Sequence, residues 1–192
     1  MKELFIVEGK SAASTIQQAI RKPSQSVLAI QGKLINAEKA TPAKVLSNQT
    51  CQKIFQSLAC GINNDCNPNH LNFSRILLLM DPDIDGTHTR VLLLTLFEHY
   101  MRPLLDSGLV SIINPPLFRI AASTAPNYQY AWSEQQRIEL LNKMAKHDDV
   151  EITRFKGVAQ FSVTECIQLL LHPDTRKQIN IQAHTNSHFS PA

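Results

Sequence analysis

The sequence predicts an α/β fold built on a parallel β-sheet of about four strands, flanked by helices. Four short runs rich in leucine, isoleucine and valine have the length and composition of buried strands. They lie at residues 4–7, 27–30, 75–80 and 110–113. Three longer segments with helical periodicity separate them, at residues 11–20, 48–58 and 87–100. Alternating strands and helices are typical of parallel sheets, because each helix returns the chain to the start of the next strand.

The residues after the fourth strand predict a smaller C-terminal α+β extension. Its predicted elements are a strand at 128–132, a helix at 133–146, a strand at 151–155 and a helix at 162–171. We therefore divide the chain into a core at 1–120 and an extension at 121–182. The last residues, 183–192, are polar and lack periodicity, and they predict a disordered tail.

The bulk composition sets limits on the function. The 192 residues, of which 43% are apolar, suffice for one complete core. The net charge of +3 permits a nucleic-acid partner but does not indicate one by itself. No two of the four cysteines have C-x-x-C spacing, which argues against a zinc site. No apolar run is long enough for a signal peptide or membrane span, so we expect a cytoplasmic protein with reduced thiols.

Four acidic side chains follow two of the predicted strands. Glu8 comes after the first strand, and Asp81, Asp83 and Asp85 come after the third. The carboxyl ends of parallel strands meet at one edge of a sheet, where ligands bind. Neighbouring carboxylates raise one another's pKa unless a cation neutralises them. Because Mg²⁺ prefers oxygen ligands, the sequence predicts a magnesium site at this edge.

Two other interpretations of the DPDIDG stretch compete with metal binding. An aspartate after a strand often caps the next helix, and Asp85 is placed to cap a helix beginning near Thr87. The spacing also resembles the start of an EF-hand loop. That loop needs a glutamate at its twelfth position, which is Leu92 here. The presence of Glu8 after a neighbouring strand favours the magnesium site.

Five segments carry a family resemblance: LFIVEGKSA, GKLINAEKA, LLLMDPDIDGTHTRVLLLTLF, INPPLFRI and RFKGVAQF…HPDTRK. In this order they resemble the Toprim segment of the B subunits of bacterial type IIA topoisomerases, the DNA gyrase and topoisomerase IV family. The resemblance extends from residue 3 to about residue 182. It implies a Rossmann-like Toprim fold whose catalytic Mg²⁺ is bound by Glu8, Asp81 and Asp83, with Asp85 supporting the site.

The resemblance also implies a DNA-binding role for several cations. In this family the metal assists cleavage and rejoining of a DNA strand, and a tyrosine of the partner A subunit is the nucleophile. Lys33, His88, Arg90 and Lys156 stand where the family has a cation. Together with Lys10 they are the candidate contacts to DNA phosphates. The alternative is that they are solvated surface side chains.

Two departures from the family motifs support a different function. Lys10 replaces the acid of the family's EGDSAGGSA motif, which reverses a charge beside Glu8. Gln160 replaces the glutamate of the family's KGLGEM motif. These changes favour, as an alternative, a free-standing and catalytically altered Toprim protein that binds topoisomerase subunits or DNA and regulates them.

The main hypothesis is a Toprim module that binds Mg²⁺ and DNA and works with an A subunit. A separate ATPase subunit is a further candidate partner. The chain begins at the first Toprim strand, so we expect it to lack an ATPase domain. None of Tyr100, Tyr128 and Tyr130 lies in the context of the family's nucleophile. We therefore do not expect a self-sufficient topoisomerase. A self-sufficient Toprim nuclease is the weakest hypothesis, because no additional nucleophile or base is evident.

Overall fold

The computed structural model describes residues 2–32, 34–123, 127–144 and 149–181. The β-strands are Glu3–Glu8 (β1), Gln25–Ile30 (β2), Arg75–Leu79 (β3), Val110–Ile113 (β4), Phe118–Ala122 (β5), Gln129–Ala131 (β6), Val150–Arg154 (β7) and Gln178–Asn180 (β8). The α-helices are Gly9–Ala19 (α1), Pro42–Ser47 (α2), Gln49–Leu58 (α3), Ile84–Tyr100 (α4), Arg102–Asp106 (α5), Glu134–Lys143 (α6) and Val163–Glu165 (α7). Short 3₁₀ turns occur at Asn63–Asp65, Pro68–His70 and Val158–Gln160, and a π-helical segment spans Cys166–Leu171. Within these ranges, no helix combines the length and the apolar character needed to cross a membrane.

The main sheet has the strand order β2-β1-β3-β4-β8. Its first four strands run parallel, which confirms the predicted fold class. The fifth, β8, comes from the C-terminal part of the chain and pairs antiparallel with β4, with Ile179 opposite Ile112. The sequence did not predict β8, because three residues are too few to show a periodicity.

The central strands β1 and β3 are buried on both faces and contribute side chains to two separate hydrophobic cores. Side chains alternate across a strand, so Leu4 and Ile6 enter one core while Phe5 and Val7 enter the other. Residues of α2, α3, α4 and α5 close the first core. Residues of α1 and of the segment 155–171 close the second. The domain boundary predicted at residue 120 stays a prediction, and the second core contains residues from both sides of it.

A buried ion pair joins the start of β1 to the segment before β8. Arg176 donates from Nη2 to Glu3 Oε1 at 2.6 Å and from Nη1 to Glu3 Oε2 at 3.2 Å. The two side chains are only 1% and 6% exposed. Burial raises the pKa of the Glu3 carboxyl, but the hydrogen bonds from Arg176 and Gln25 outweigh it and hold this pKa below its ordinary value. The carboxylate therefore stays ionised at neutral pH.

The second sheet is antiparallel, with the order β6-β5-β7, and it is joined to α7 through Glu165. Tyr130 of β6 donates its hydroxyl to Glu165 Oε1 at 2.8 Å, and Arg119 of β5 lies 3.4 Å from the same oxygen. The backbone N–H of Ser162 donates to Glu165 Oε2 at 2.8 Å. Burial raises the pKa of Glu165, but these donors outweigh it and the pKa is lowered. This network ties the small sheet to the segment that covers the main sheet.

The C-terminal elements differ in detail from the prediction. The predicted helix at 162–171 is α-helical only over Val163–Glu165, and Cys166–Leu171 is π-helical. The strand β5 was not predicted, because it follows the strand-ending pair Pro115-Pro116 by one residue. The disorder predicted for residues 183–192 concerns residues that lie outside the described part of the chain.

Candidate metal centre

The carboxyl ends of β1 and β3 lie side by side, as the parallel pairing requires. The register places Val7 of β1 opposite Leu79 of β3. Glu8, which follows Val7, therefore lies at the same sheet edge as Met80 and Asp81. This register brings Glu8 and Asp81 to the same edge of the sheet, as the sequence predicts for parallel strands.

Glu8 is half-buried and has a carboxylate oxygen without a partner. Its Oε2 is buried and, in the described part of the chain, accepts no hydrogen bond. Burial raises the pKa of Glu8, the hydroxyl of Thr89 opposes the rise, and Asp81, Asp83 and Asp85 raise the pKa further. The three aspartates are therefore close enough to Glu8 to repel its charge. A cation at this position would satisfy the buried oxygen and remove the repulsion.

Asp81 is held by the backbone of the distant KG motif. The N–H of Val158 donates to Asp81 Oδ1 at 2.7 Å. Burial raises the pKa of Asp81, the Val158 N–H lowers it, and Asp83 raises it again, with a net rise. A Cβ atom at Gly157 would lie 3.3 Å from both carboxylate oxygens of Asp81. Glycine at this position therefore lets the turn approach the carboxylate closely.

Asp83, not Asp85, caps the helix that follows the acids. Asp83 Oδ1 accepts a hydrogen bond from the N–H of Gly86 at 2.7 Å. Helix α4 begins at Ile84, three residues before the predicted start at Thr87, so Asp85 falls in its first turn and is exposed. The prediction of a capping aspartate is thus correct, but the capping residue is Asp83 and not Asp85. Capping uses one oxygen of Asp83 and leaves the second for another ligand.

The donor set at this edge fits a hard cation. It consists of carboxylate oxygens, which are the ligands that Mg²⁺ prefers. One of these oxygens, Glu8 Oε2, is buried and has no hydrogen-bond partner among the described residues. Within the described ranges, no three His, Cys, Asp or Glu side chains converge closely enough to surround a metal ion by themselves. Mg²⁺ characteristically takes one or two carboxylates and keeps several waters. The assignment of Glu8, Asp81, Asp83 and Asp85 as ligands stays a prediction.

The predicted DNA-binding cations lie around the acidic edge. Lys10 is exposed in the first turn of α1, and Lys156 is exposed beside the glycine that packs on Asp81. His88 is exposed and Arg90 half-buried near the start of α4. Among the described residues, none of these four forms an ion pair, and Lys10 in particular does not pair with Glu8. Lys33 lies outside the described residues.

Two features of the site were missed from the sequence. Thr89, one turn into α4, lies near Glu8. Val158 supplies a backbone N–H to Asp81 across 77 residues of sequence. A backbone N–H donor such as that of Val158 has no side-chain signature in the sequence. The signal that could have indicated it is the preceding KG motif, in which a role was predicted only for Lys156.

Comparison with known proteins supports the resemblance seen in the sequence. A family model described as "Toprim domain" matches residues 3–115. The chain is 40% identical over 179 residues to the B subunit of DNA gyrase from Thermotoga maritima, covering 93% of this chain and 28% of that protein. It is 37% identical over 185 residues to the B subunit of DNA gyrase from Metamycoplasma arthritidis, covering 96% and 29%.

A topoisomerase IV relative matches over a similar region. The chain is 32% identical over 182 residues to the B subunit of DNA topoisomerase 4 from Bacillus subtilis, covering 94% of this chain and 28% of that protein. The chain thus spans less than a third of the length of these relatives, whereas they align with nearly all of it. The matches confirm the resemblance to the B subunits of type IIA topoisomerases.

Proposed function

Because this chain belongs to the Toprim family, we propose that it is the Toprim module of a type IIA topoisomerase. In this proposal it binds Mg²⁺ and DNA and supports strand cleavage and rejoining together with an A subunit. The observation that carries the proposal is the unpartnered, buried Oε2 of Glu8 next to Asp81, Asp83 and Asp85. Such a group of carboxylates is unfavourable without a cation.

The residues have separate roles in the proposed chemistry. Glu8, Asp81 and Asp83 would supply the carboxylate ligands of the cation, directly or through its bound waters, and Asp85 would add negative charge that attracts it. When bound, Mg²⁺ would supply stabilisation of negative charge on the scissile phosphate and the leaving oxygen. Val158 fixes the orientation of Asp81 through its N–H. The attacking tyrosine comes from the A subunit.

DNA binding is assigned to the cations around the acidic edge. In this proposal the backbone phosphates of DNA are contacted by Lys10, His88, Arg90 and Lys156. The family resemblance adds Lys33 to these contacts. Such contacts release counterions from DNA, so affinity should fall steeply as salt is raised. Within the described part of the chain, Lys10, His88, Arg90 and Lys156 form no ion pair, so these four side chains need not break one to bind phosphate.

The cysteines fit a cytoplasmic location, which we also propose. Cys51, Cys60, Cys66 and Cys166 are all free and buried. Burial raises the pKa of Cys51 to about 11 and the pKa of Cys60 and Cys166 to about 12. Thiols with such pKa values stay protonated and unreactive at neutral pH, which suits a reducing compartment.

Titration calorimetry with Mg²⁺ tests the metal site. The wild-type chain should bind Mg²⁺ at millimolar concentration, and the double variant Asp81→Asn/Asp83→Asn should bind at least tenfold more weakly, because two charged ligands are lost. The matched control is Asp106→Asn/Asp174→Asn, which removes two exposed aspartates that do not belong to the acidic group at the sheet edge. Absence of binding by the wild type, or equal binding by both double variants, contradicts the proposal.

Reconstitution with a bacterial type IIA A subunit and supercoiled DNA tests the reaction. Cleaved DNA covalently attached to the A subunit, formed only with Mg²⁺ and wild-type acids, supports the proposed module. Inhibition of an intact topoisomerase without cleavage supports the regulatory alternative. Nicking of DNA by the chain alone supports the nuclease alternative.

Mg²⁺ binding should also depend on pH. Burial raises the pKa of both Glu8 and Asp81, so protons compete with the cation at a higher pH than for ordinary carboxyls. A raised pKa in the fold means that the contribution to stability is present at low pH and is lost as pH rises through the folded value. Mg²⁺ offsets this loss, so it should raise the melting temperature more near neutral pH than at about pH 5.

Differential scanning calorimetry with and without Mg²⁺ at the two pH values measures this effect. The variant Glu8→Gln removes one competing proton site. Its Mg²⁺-induced rise in melting temperature should therefore differ less between the two pH values. A melting-temperature rise that is independent of pH in the wild type would rule out proton competition at these carboxyls.

A further inference from the structure

One turn of the C-terminal segment lies directly against the carboxylate of Asp81. The N–H of Val158 donates to Asp81 Oδ1 at 2.7 Å. A side chain on Gly157 would press on both oxygens of this carboxylate, since its Cβ would lie 3.3 Å from each. The turn therefore fixes the orientation of Asp81 and engages one of its two oxygens.

The side chain of Gln160 holds this turn. Its Oε1 accepts hydrogen bonds from the backbone N–H of Lys156 and from that of Gly157, the latter at 3.2 Å. The N–H of Gln160 in turn donates to the carbonyl of Gly157 at 3.1 Å. The amide oxygen thus satisfies the two N–H groups that immediately precede Val158, in the manner of a capping box.

Apolar packing anchors the turn, but it does not involve Gln160. The rings of Phe155 and Phe161 stack with 4.0 Å between centroids and 17° between planes, and Val158 is fully buried. Gln160 itself is exposed. Its contribution therefore comes from its two hydrogen bonds and not from burial of its side chain.

We propose that Gln160 is a positioning residue of the metal centre: its amide oxygen holds the Lys156-Gly157 backbone so that Val158 orients Asp81 for the cation. The inference rests on the proposed Mg²⁺-binding function. An amide supplies the required acceptor without adding a fifth negative charge beside four carboxylates. The replacement of the family's glutamate thus keeps the hydrogen-bond acceptor and removes only its charge.

Three substitutions at Gln160 and one control substitution elsewhere isolate the acceptor from other properties of the residue. Gln160→Leu keeps the approximate size and removes the acceptor, whereas Gln160→Glu keeps the acceptor. Gln135→Leu is the matched control, because Gln135 is an exposed glutamine of α6 whose side chain bonds only Glu139 in the described part of the chain. Gln160→Asn, whose oxygen sits one methylene closer to the backbone, provides a milder loss of reach if the leucine variant folds poorly.

Calorimetric titration with Mg²⁺ gives the first readout. Gln160→Leu should bind about tenfold more weakly, the usual effect of losing a group that orients a metal ligand. Gln160→Glu should bind at least as tightly as wild type, and Gln135→Leu should equal wild type. Equal affinities of wild type and Gln160→Leu would overturn the inference while leaving the proposed function in place.

Amide hydrogen exchange of Val158, followed by NMR in EDTA, gives a second readout that needs no metal. The Val158 N–H should be protected in wild type and in Gln160→Glu, and should exchange at least tenfold faster in Gln160→Leu. Unchanged protection in Gln160→Leu overturns the inference. Absence of Mg²⁺ binding by wild type overturns the proposed function, and the exchange result then decides separately whether Gln160 positions Asp81.

Discussion

Replacing Arg176 with methionine is expected to lower the free energy of unfolding by about 3–5 kcal/mol, the range for removing one partner of a buried ion pair. The Arg176 side chain is 1% exposed and donates to both oxygens of Glu3. Without it, the Glu3 carboxylate stays buried, and Gln25 is the one side-chain donor left to it among the described residues. Chemical denaturation monitored by circular dichroism measures the change.

The double variant Glu3→Leu/Arg176→Met separates charge from packing. Because it removes both buried charges, it should recover much of the stability lost in Arg176→Met. Arg102→Met is the control, since Arg102 pairs with Glu98 and Asp106 at the exposed surface and its loss should change stability far less. Equal losses in Arg176→Met and Arg102→Met would contradict the assigned role of the buried pair.

The same pair predicts acid sensitivity of the fold. The pKa of Glu3 is lowered in the folded protein, so its contribution to stability is present above the ordinary glutamate pKa and is lost as pH falls through the folded value. In Glu3→Leu/Arg176→Met this component should disappear, and the denaturation midpoint should vary less with pH below about pH 4.5.

Replacing Gly86 with alanine is expected to cost about 3 kcal/mol of stability, at the upper end of the range for overpacking. A Cβ atom at Gly86 would lie 2.2 Å from the carbonyl oxygen of Asp81 and 2.8 Å from its nitrogen. In an ordinary helix, alanine in place of glycine is favourable by about 1 kcal/mol, so the sign itself is diagnostic. The displaced Asp81 backbone should also abolish Mg²⁺ binding at millimolar concentration.

Gly157→Ala provides the graded comparison. The three atoms nearest to its Cβ would all belong to the Asp81 side chain, at 3.3–3.4 Å, so the carboxylate would have to shift by a few tenths of an ångström. Its melting temperature should therefore fall much less than that of Gly86→Ala, while Mg²⁺ binding weakens. Differential scanning calorimetry and Mg²⁺ titration measure the two effects. A Gly86→Ala variant as stable as wild type would show that the α4 start can shift away from Asp81.

The parallel core was predictable because its signal is local. The strands β1, β3 and β4 are predominantly apolar and buried on both faces, and their composition indicates that burial. The start of α4 was placed too late because Ile84 is 86% exposed, so the apolar periodicity begins only further along the helix. The capping role therefore fell to Asp83 and not to Asp85.

From the sequence, only the part of the candidate site that is formed by the ends of parallel strands was predictable. Glu8 and Asp81 meet because parallel pairing brings their strands into register. The hold of Val158 on Asp81 depends on how the C-terminal segment packs over α1, and no local pattern encodes a contact between residues 77 apart. Likewise, the loss of acidity at Gln160 was visible in the sequence, but its retained role as an acceptor was not.

The Glu3–Arg176 pair has a consequence for how the chain folds during synthesis. Its partners are separated by 173 residues. At about 5–20 residues per second, Glu3 leaves the ribosome roughly 9–35 s before Arg176 does. During that interval the first strand carries a carboxylate whose cationic partner does not yet exist. Docking of β1 into its final, fully buried environment should therefore be among the last events of folding.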